Sequence, residues 1–218
     1  NRGGIAYSSR EAAFGENLAV DNSAPYQILR SQGGTYTPSI VDQTIRVRAG
    51  GDGDDTAAGI GARTIDVTFL DTNWVTTVET LTLAGASASA STSATARRLI
   101  HANVVTVGAA GVANTDDIII EHTTAGDEVG RIDAGLGEMQ QAVYTVPAGF
   151  TAYITDIFVS VGQADSCDVR LFVIEDVTPV AAPFSALHEE WSVRDFVGAD
   201  DFKLQTFIAV PEKSDIFM

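Results

Sequence analysis

The stretch TIDVTFLDTNWVTTVETLTL, residues 64–83, decides the fold class of this protein. In its first half, Ile65, Val67 and Phe69 lie on one face, with polar residues between them. Alternation with a period of two is typical of a β-strand that has one buried face. After the turn-like DTNW, the second half is rich in Thr and Val, which are common in strands. The stretch therefore predicts a β-hairpin.

Strand-like segments continue on both sides of this hairpin, separated by turns rich in Gly, Pro, Asn and Asp. They are IVDQTIRV (40–47), RLIHANVVTV (98–107), IIIEHTT (118–124), EVGRI (128–132), AVYTV (142–146), FTAYITDIFVSV (150–161), DVRLFVIED (168–176), FKLQTFIAV (202–210) and SDIFM (214–218). We therefore predict an all-β fold with two small antiparallel units, each a β-sandwich or jelly-roll-like domain, over residues 40–135 and 136–218. Residues 1–39 show no sustained period, and we predict an extended N-terminal arm that crosses a neighbouring subunit or forms a peripheral loop layer.

Two segments depart from this pattern. The first is AGASASASTSATA, residues 84–96, whose alanine content is helix-like. Its serines and threonines compete for backbone hydrogen bonds, so we predict a loop or an edge strand. The second is SALHEEWSVRDFVG, residues 185–198, the one stretch for which we predict a helical turn.

The charge balance restricts the classes of partner. The chain has 13 Lys and Arg against 29 Asp and Glu, which gives a formal net charge of −16 over 218 residues. Nucleic-acid affinity comes largely from Lys and Arg, so neither DNA nor RNA is an expected partner. No apolar stretch approaches the ~20 residues of a membrane span, and we expect no membrane association.

The single cysteine, Cys167, is predicted to be a buried, unreactive thiol rather than a nucleophile.

The glycine- and aspartate-rich stretch GGDGDDTAAGIGAR, residues 50–63, has three interpretations. An EF-hand loop is excluded because its sixth position is not Gly and its twelfth is Arg63 instead of Glu. A phosphate-binding loop is excluded because the stretch precedes a strand and contains no lysine. We predict a turn whose glycines supply positive φ and whose aspartates cap backbone amides or face water, while a looser divalent-ion site at Asp52, Asp54 and Asp55 stays an alternative.

No other set of residues points to catalysis or metal binding. The histidines, His101, His122 and His188, have no second His or Cys at metal-ligand spacing, and the first two, which lie in predicted strands, are predicted to be structural. GASAS, at 85–89, lacks the second Gly of a nucleophile elbow. The acidic doublets are interpreted as solvated turns rather than as paired catalytic carboxylates; they are 54–55, 116–117, 189–190 and 200–201. We therefore predict no catalytic, cofactor-binding or metal-binding residue, no small-molecule substrate and no enzymatic activity.

The two tryptophans have two interpretations each. Trp74 lies in the turn of the predicted hairpin, and Trp191 lies in a polar stretch. Each is either an exposed anchor for a sugar or protein partner, or a cap on the edge of the hydrophobic core.

A series of motifs extends over most of the chain, from Phe14 to Met218. They are FGENLAVDN (14–22), GDDTAAGIGARTIDVTFLDTNW (53–74), ETLTLAGAS (79–87), IHANVVTVGAAGVANTDDIII (100–120), YTVPAGFTAYITDI (144–157) and VPEKSDIFM (210–218). Their order resembles a family of tailed-bacteriophage virion structural proteins that is frequent in marine phages. The chain departs from the family pattern at TFL (68–70), where a Gly often precedes the Leu-Asp turn, and at LAGASASAS (83–91), where an Asn-Gly pair is common.

This resemblance implies a non-enzymatic, β-rich component of the virus particle, and it carries over no functional residue. We expect first a capsid decoration, or cement, protein that is made in the host cytoplasm and bound at the virion surface. Its partners would be the major capsid protein and copies of itself in a homotrimer. The alternative is a tail, neck or fibre protein whose C-terminal unit binds a receptor or glycan through Trp191 or nearby aromatic residues. A third hypothesis, a polysaccharide depolymerase, would require a carboxylate such as that of Glu189.

Overall fold

The structure, a computed structural model, describes residues 9, 11–20, 25–39, 41–51, 53–109, 111–162, 166–179 and 181–218. These ranges contain twelve strands and no helix. The strands are β1 (Ile45–Ala49), β2 (Ala62–Asp71), β3 (Thr76–Thr82), β4 (Ala96–Val107), β5 (Ile118–His122), β6 (Glu128–Ile132), β7 (Val143–Thr145), β8 (Ala152–Val161), β9 (Cys167–Ile174), β10 (Leu187–Phe196), β11 (Gly198–Val210) and β12 (Asp215–Phe217). Every pairing between these strands is antiparallel. The prediction of an all-β fold is confirmed.

The first sandwich consists of two three-stranded sheets, with strand orders β3-β2-β4 and β1-β5-β6. Strands β2 and β3 form the hairpin predicted over residues 64–83, with Ile65 opposite Leu81 and Phe69 opposite Thr77. Buried side chains from all six strands form one hydrophobic cluster between the sheets. Because alternate side chains of each strand enter this cluster, the polar residues between them face outward.

The outer edge of β1 is covered by the serine-rich segment 84–96. The amide of Val47 donates to the hydroxyl of Ser89, and the amide of Ile45 donates to the hydroxyl of Thr92, both at 3.0 Å. In return, the amides of Ser89 and Thr92 donate to the carbonyls of Val47 and Ile45 at 2.8 Å. The predicted loop is confirmed, and its short hydroxyl side chains take the place of a neighbouring strand.

The second sandwich consists of a four-stranded sheet, with order β10-β9-β12-β7, that packs against the two-stranded sheet of β8 and β11. The cluster between these sheets includes Ile157 and Val159 of β8 and Val169 and Leu171 of β9. Strand β12 lies between β9 and β7, so the C-terminal residues complete the larger sheet. The turn predicted at Pro147 is confirmed, since the amide of Phe150 donates to the Pro147 carbonyl at 3.3 Å.

The helical turn predicted over residues 185–198 is wrong. Strand β10 occupies this segment and pairs with β9 at the edge of the four-stranded sheet. Trp191 and Val193 pack against the core cluster of the second sandwich, while the residues beside them are exposed. The register of the pairing shifts after Glu189 and again after Val193. These irregularities break the alternation that reveals a strand in the sequence.

Residues 25–39 of the predicted arm cover the outer face of the four-stranded sheet. Ile28 is fully buried, and Tyr26 packs beside it. The ring of Tyr36 lies on that of Phe217, with the centroids 4.6 Å apart. This part of the arm therefore forms a peripheral layer on its own chain. Other parts of the arm, namely residues 1–8, 10 and 21–24, lie outside the described residues.

The arm and the two sandwiches meet at a buried ion pair between Arg98 of β4 and Asp215 of β12, with 3.2 Å between Nε and Oδ2. Asp215 also accepts hydrogen bonds from the hydroxyls of Tyr36 at 2.8 Å and Thr145 at 2.6 Å. Arg98 also donates to the carbonyl of Ser39. Burial raises the pKa of Tyr36 well above its ordinary value, and the charge of Asp215 adds to this effect, so the phenol stays a hydrogen-bond donor. The network links the three regions predicted from the sequence, whose boundaries stay predictions.

Candidate functional site

The glycine- and aspartate-rich stretch 50–63 is organised around the fully buried Asp55. Its carboxylate accepts hydrogen bonds from the backbone amides of Ala62 at 2.7 Å, Thr115 at 3.0 Å and Asp116 at 2.9 Å. These amides direct positively polarised hydrogens at both carboxylate oxygens, and this geometry stabilises the negative charge. The prediction that an aspartate of this stretch caps backbone amides is confirmed.

The same geometry bears on the alternative of a divalent-ion site at Asp52, Asp54 and Asp55. Both oxygens of Asp55 are occupied by amide donors, which repel a cation. Asp52 lies outside the described residues. Within the part of the chain that the structure describes, no group of three or more His, Cys, Asp or Glu side chains suits a metal ion. The structure therefore supplies no argument for an ion here.

The glycines of this stretch allow backbone segments to approach closely. A Cβ atom on Gly61 would lie 2.2 Å from Oδ1 of Asp55, and one on Gly59 would lie 1.9 Å from the carbonyl oxygen of Asp54. A Cβ atom on Gly108, in the loop opposite, would lie 1.9 Å from the carbonyl oxygen of Gly59. Neither Gly59 nor Gly61 has a positive φ, so the predicted reason for these glycines is wrong, and close packing of the two loops explains them instead.

The three histidines lie on three different strands, His101 on β4, His122 on β5 and His188 on β10. His188 is exposed, His101 is half-buried and His122 is buried. Burial lowers the pKa of His122, and the carboxylate of Asp127 opposes this effect only in part. The prediction that His101 and His122 lie in strands is confirmed.

Cys167 is half-buried, whereas the sequence predicted a buried thiol. Its partial burial raises the pKa of the thiol, and the neighbouring charge of Asp168 raises it further. The thiol therefore stays protonated near neutral pH, which makes it a poor nucleophile.

Two of the four acidic doublets lie on strands, which corrects the interpretation of all four as turns. Glu189–Glu190 belongs to β10, Asp200–Asp201 belongs to β11, and all four side chains are exposed. In the doublet at 116–117, Asp117 accepts from Arg131 at 3.0 Å and from the amide of Ala134 at 3.0 Å. The side chains of the two strand doublets therefore face solvent on β10 and β11.

The interpretation of both tryptophans as caps on the core is confirmed, and neither is an exposed anchor. Trp74 is only 3% exposed, at the tip of the first hairpin. The guanidinium groups of Arg97 and Arg98 lie over its ring, 5.0 Å and 5.6 Å from the centroid. Trp191 packs edge-on against Phe202 in the second sandwich, with the ring centroids 5.0 Å apart.

A different set of aromatic side chains is exposed on the outer side of the β8–β11 sheet. This set, which we call the aromatic face, consists of Tyr153, Phe158 and Phe207, each more than half exposed. Ile157 and Val159 point into the core, so Phe158 between them points away from it. Tyr153 and Phe207 make an edge-on contact, with their ring centroids 4.9 Å apart.

The sequence contains a signal for this face in FTAYITDIFVSV, residues 150–161, where apolar residues occupy both sides of the strand. Such a strand is either buried on both faces or presents one apolar face to a partner. The sheet order distinguishes these possibilities. Among the described residues, β8 pairs with β11 alone, and only one face of this two-stranded sheet packs on the core.

An open groove of about 480 Å³ runs along β4 beside the connector that follows β6. Its lining includes the exposed side chains of Val105 and Leu136 together with polar groups. The ionisable groups at its wall are His101 and Glu138, and no Ser, Thr or Cys lines it.

The fold belongs to the class of all-β proteins built from small antiparallel sandwiches. No protein family, curated protein or solved structure matches the chain. The described residues include no helix with the length and hydropathy needed to cross a bilayer.

Proposed function

We propose that this protein is a structural component of a tailed-bacteriophage virion, and specifically a capsid decoration protein that binds the capsid surface as a homotrimer. Its partners would be the major capsid protein and further copies of itself, and it would catalyse no reaction. The order of motifs from Phe14 to Met218 supports the phage family. The layered sheets suit a subunit whose role is to provide contact area.

The aromatic face is the observation that carries this proposal. Soluble monomers rarely expose several large aromatic side chains together unless a partner covers them. Each ring buries ~150–250 Å² when it is fully covered, so three rings provide the apolar centre of a protein interface.

We assign the aromatic face to a second copy of the chain. With a net charge of −16, two copies repel each other, so a stable contact needs a patch where apolar side chains dominate. On β11, beside this patch, the exposed Lys203 lies 3.8 Å from Asp201, so the two form a surface ion pair at its border. A head-to-tail contact repeated around a three-fold axis closes into a trimer.

The oligomeric state tests this assignment. Size-exclusion chromatography with light scattering is expected to give three times the chain mass of 22.9 kDa. Phe158→Ser should raise the concentration at which the trimer dissociates by about tenfold or more, because it removes the most exposed ring of the aromatic face. Phe184→Ser is the matched control, since Phe184 is also more than half exposed but lies outside β8 and β11. A wild-type monomer, or an equal effect of both variants, would contradict the assignment.

The position on the particle tests the capsid role independently of the trimer. Cryo-electron microscopy of virions is expected to show the subunit in a symmetric array over the head. Density confined to a few copies at the tail or neck would contradict a decoration protein.

A tail, neck or fibre protein that binds a glycan or receptor is the second candidate. The contact between Tyr153 and Phe207 favours it, because exposed aromatic rings also serve as platforms for sugars. Trp191 does not supply such a platform, since it packs in the core. Glycan binding that Tyr153→Ala abolishes would select this function over capsid decoration.

A further inference from the structure

The outer face of the sheet β1-β5-β6 presents two arginines side by side. Val47 of β1 and Ile120 of β5 are buried in the core of the first sandwich, so the residues beside them point outward. These are Arg46 and Arg48 of β1 and Ile119 of β5, and Arg48 lies directly opposite Ile119. We call these three residues the arginine face.

Positive charge exceeds negative charge on the arginine face. Nε of Arg46 and Nε of Arg48 contact the two carboxylate oxygens of Glu121, at 2.7 Å and 3.1 Å. The side chain of Glu121 is only 6% exposed, whereas those of the two arginines are 31% and 42% exposed. Two guanidinium groups therefore share one buried carboxylate, and an unmatched positive charge faces outward on a chain whose formal net charge is −16.

The aromatic face has the opposite imbalance of charge. On the β8–β11 sheet, Phe158 lies opposite Asp201, and Asp156 lies opposite Lys203. Directly opposite residues of an antiparallel pair share one face of the sheet, and so do residues two positions apart along a strand. All four side chains are exposed. Two carboxylates and one lysine therefore border Phe158, the most exposed ring of the aromatic face.

We propose that the arginine face of one copy receives the aromatic face of the next copy. A head-to-tail contact uses two different surfaces of each copy, so the proposed homotrimer, on which this assignment rests, needs a second surface to meet the aromatic face. The two faces lie on different sandwiches. One copy can therefore bind one neighbour through each face, as a closed ring requires.

The chemistry of the two faces is complementary. Guanidinium groups bind carboxylates and also stack on aromatic rings, so Arg46 and Arg48 suit a surface made of rings bordered by aspartates. Ile119, beside Arg48, adds an apolar contact. Arginine and aromatic side chains are both enriched at protein interfaces.

The same charges argue against a contact between two aromatic faces. Such a contact would bring Asp156 and Asp201 of both copies together, and like charges at an interface oppose binding. When the aromatic face instead meets the arginine face, each excess of charge lies against its opposite. The charges thus favour a head-to-tail ring over a two-fold dimer.

Neutralising one arginine tests the proposal. Arg48→Gln should raise the concentration at which the trimer dissociates by about tenfold, because it removes a guanidinium group from the contact and leaves Arg46 to pair with Glu121. Arg170→Gln is the matched control, since Arg170 is 33% exposed but lies on β9. It makes the same change in net charge and should shift that concentration by less than about twofold.

Crosslinking between copies tests the contact with both arginines and all three rings in place. Ile119→Cys and Ser160→Cys each add a thiol, the first on the arginine face and the second on β8, two positions from Phe158. Both variants carry Cys167→Ser. After the two are mixed and allowed to reassemble, a short bifunctional maleimide should join them into a dimer, whereas each variant alone should give no dimer.

The outcomes separate this contact from the trimer itself. A wild-type monomer would contradict the trimer. A trimer that Phe158→Ser weakens, but that Arg48→Gln leaves intact and that gives no mixed crosslink, would keep the trimer and overturn the role of the arginine face. An equal effect of Arg48→Gln and Arg170→Gln would overturn it too, as would loss of capsid binding in Arg48→Gln with an unchanged trimer, which would assign the arginine face to the capsid protein.

Discussion

Asp55 is a single residue that joins two distant loops. Its carboxylate accepts from Ala62 in its own loop and from Thr115 and Asp116 some sixty positions further along the chain. The small volume of Gly61 is needed beside it, because a Cβ atom there would overlap Oδ1. The Asp55 carboxylate therefore joins the end of the glycine-rich stretch at Ala62 to the loop at Thr115 and Asp116.

Asp55→Asn is expected to destabilise the protein by about 2–3 kcal/mol, since hydrogen bonds to a charged acceptor are lost and an amide NH₂ meets backbone donors. The midpoint of urea unfolding measures this change. Glu190→Gln, which neutralises an exposed acid on β10, is the control and should leave the midpoint in place. Equal shifts in the two variants would show that net charge, not the amide cap, is responsible.

His122 is expected to make the protein acid-sensitive. Burial lowers the pKa of His122 in the folded state below its unfolded value, and the charge of Asp127 opposes this decrease in part. The native state therefore binds fewer protons than the unfolded state in mildly acidic solution. The stability it contributes is fully present above the unfolded pKa of about 6.5 and is lost as the pH falls below it.

Urea unfolding at about pH 7.5 and about pH 5.5 measures this effect. His122→Asn keeps a polar atom near Nδ1 but does not titrate, so the loss of stability on acidification should be smaller in this variant. His188→Asn, at an exposed position, should retain the wild-type difference. The prediction is wrong if both variants show the same dependence on pH.

Side-chain hydroxyls complete the backbone hydrogen bonds at the outer edge of strand β1. Ser89 and Thr92 each accept from an amide of β1 and donate their own amide back to it, as a neighbouring strand would. Their hydroxyls also donate onward to the carbonyls of Ala90 and Ala94, at 2.7 Å and 2.8 Å. This arrangement covers an edge strand without offering a further edge to other chains.

Thr92→Val keeps the shape of the side chain but leaves the buried amide of Ile45 without its acceptor. We expect a loss of about 1–3 kcal/mol in the free energy of unfolding, which urea titration measures. Thr82→Val, at an exposed position of β3, is the matched control and should stay within about 0.5 kcal/mol of the wild type. A similar loss in both variants would mean that the hydroxyl at position 92 has no special role.

Strands β2 and β10 show why one element was predicted correctly and the other was not. In β2, Ile65, Val67 and Phe69 are all fully buried and are separated by single polar residues, so the period of two is visible over the strand. In β10, two register shifts separate the inward-facing Trp191 and Val193 from the rest of the pattern. The partner strand stabilises a bulge, and the sequence of one strand alone does not show how that partner pairs with it.

The whole molecule is held together at Arg98 and Asp215, which are 117 positions apart in the sequence. Both side chains are buried, and the phenol of Tyr36 and the hydroxyl of Thr145 complete the hydrogen bonds of the carboxylate. Since Arg98 and its neighbour Arg97 also lie over Trp74, the tip of the first hairpin belongs to the same junction.

Arg98→Met is expected to cost about 3–5 kcal/mol of unfolding free energy, because it leaves the carboxylate of Asp215 buried without a cation. Lys203→Met removes an exposed partner of Asp201 and should cost at most about 1 kcal/mol. Combining Arg98→Met with Asp215→Asn should recover part of the loss. Chemical denaturation of the three variants measures these differences, and a small effect of Arg98→Met would show that the junction does not hold the sandwiches together.

The sequence by itself determined the all-β class, the hairpin at 64–83 and the amide-capping role of an aspartate in the stretch 50–63. These features depend on alternation and turn chemistry, which act between residues close along the chain. Only the tertiary structure decided that Arg98 meets Asp215, that Trp74 is buried, and that an aromatic face stays uncovered. The physical reason is that burial and pairing at these positions depend on which distant strands meet, and the side-chain pattern of a single strand carries no information about that choice.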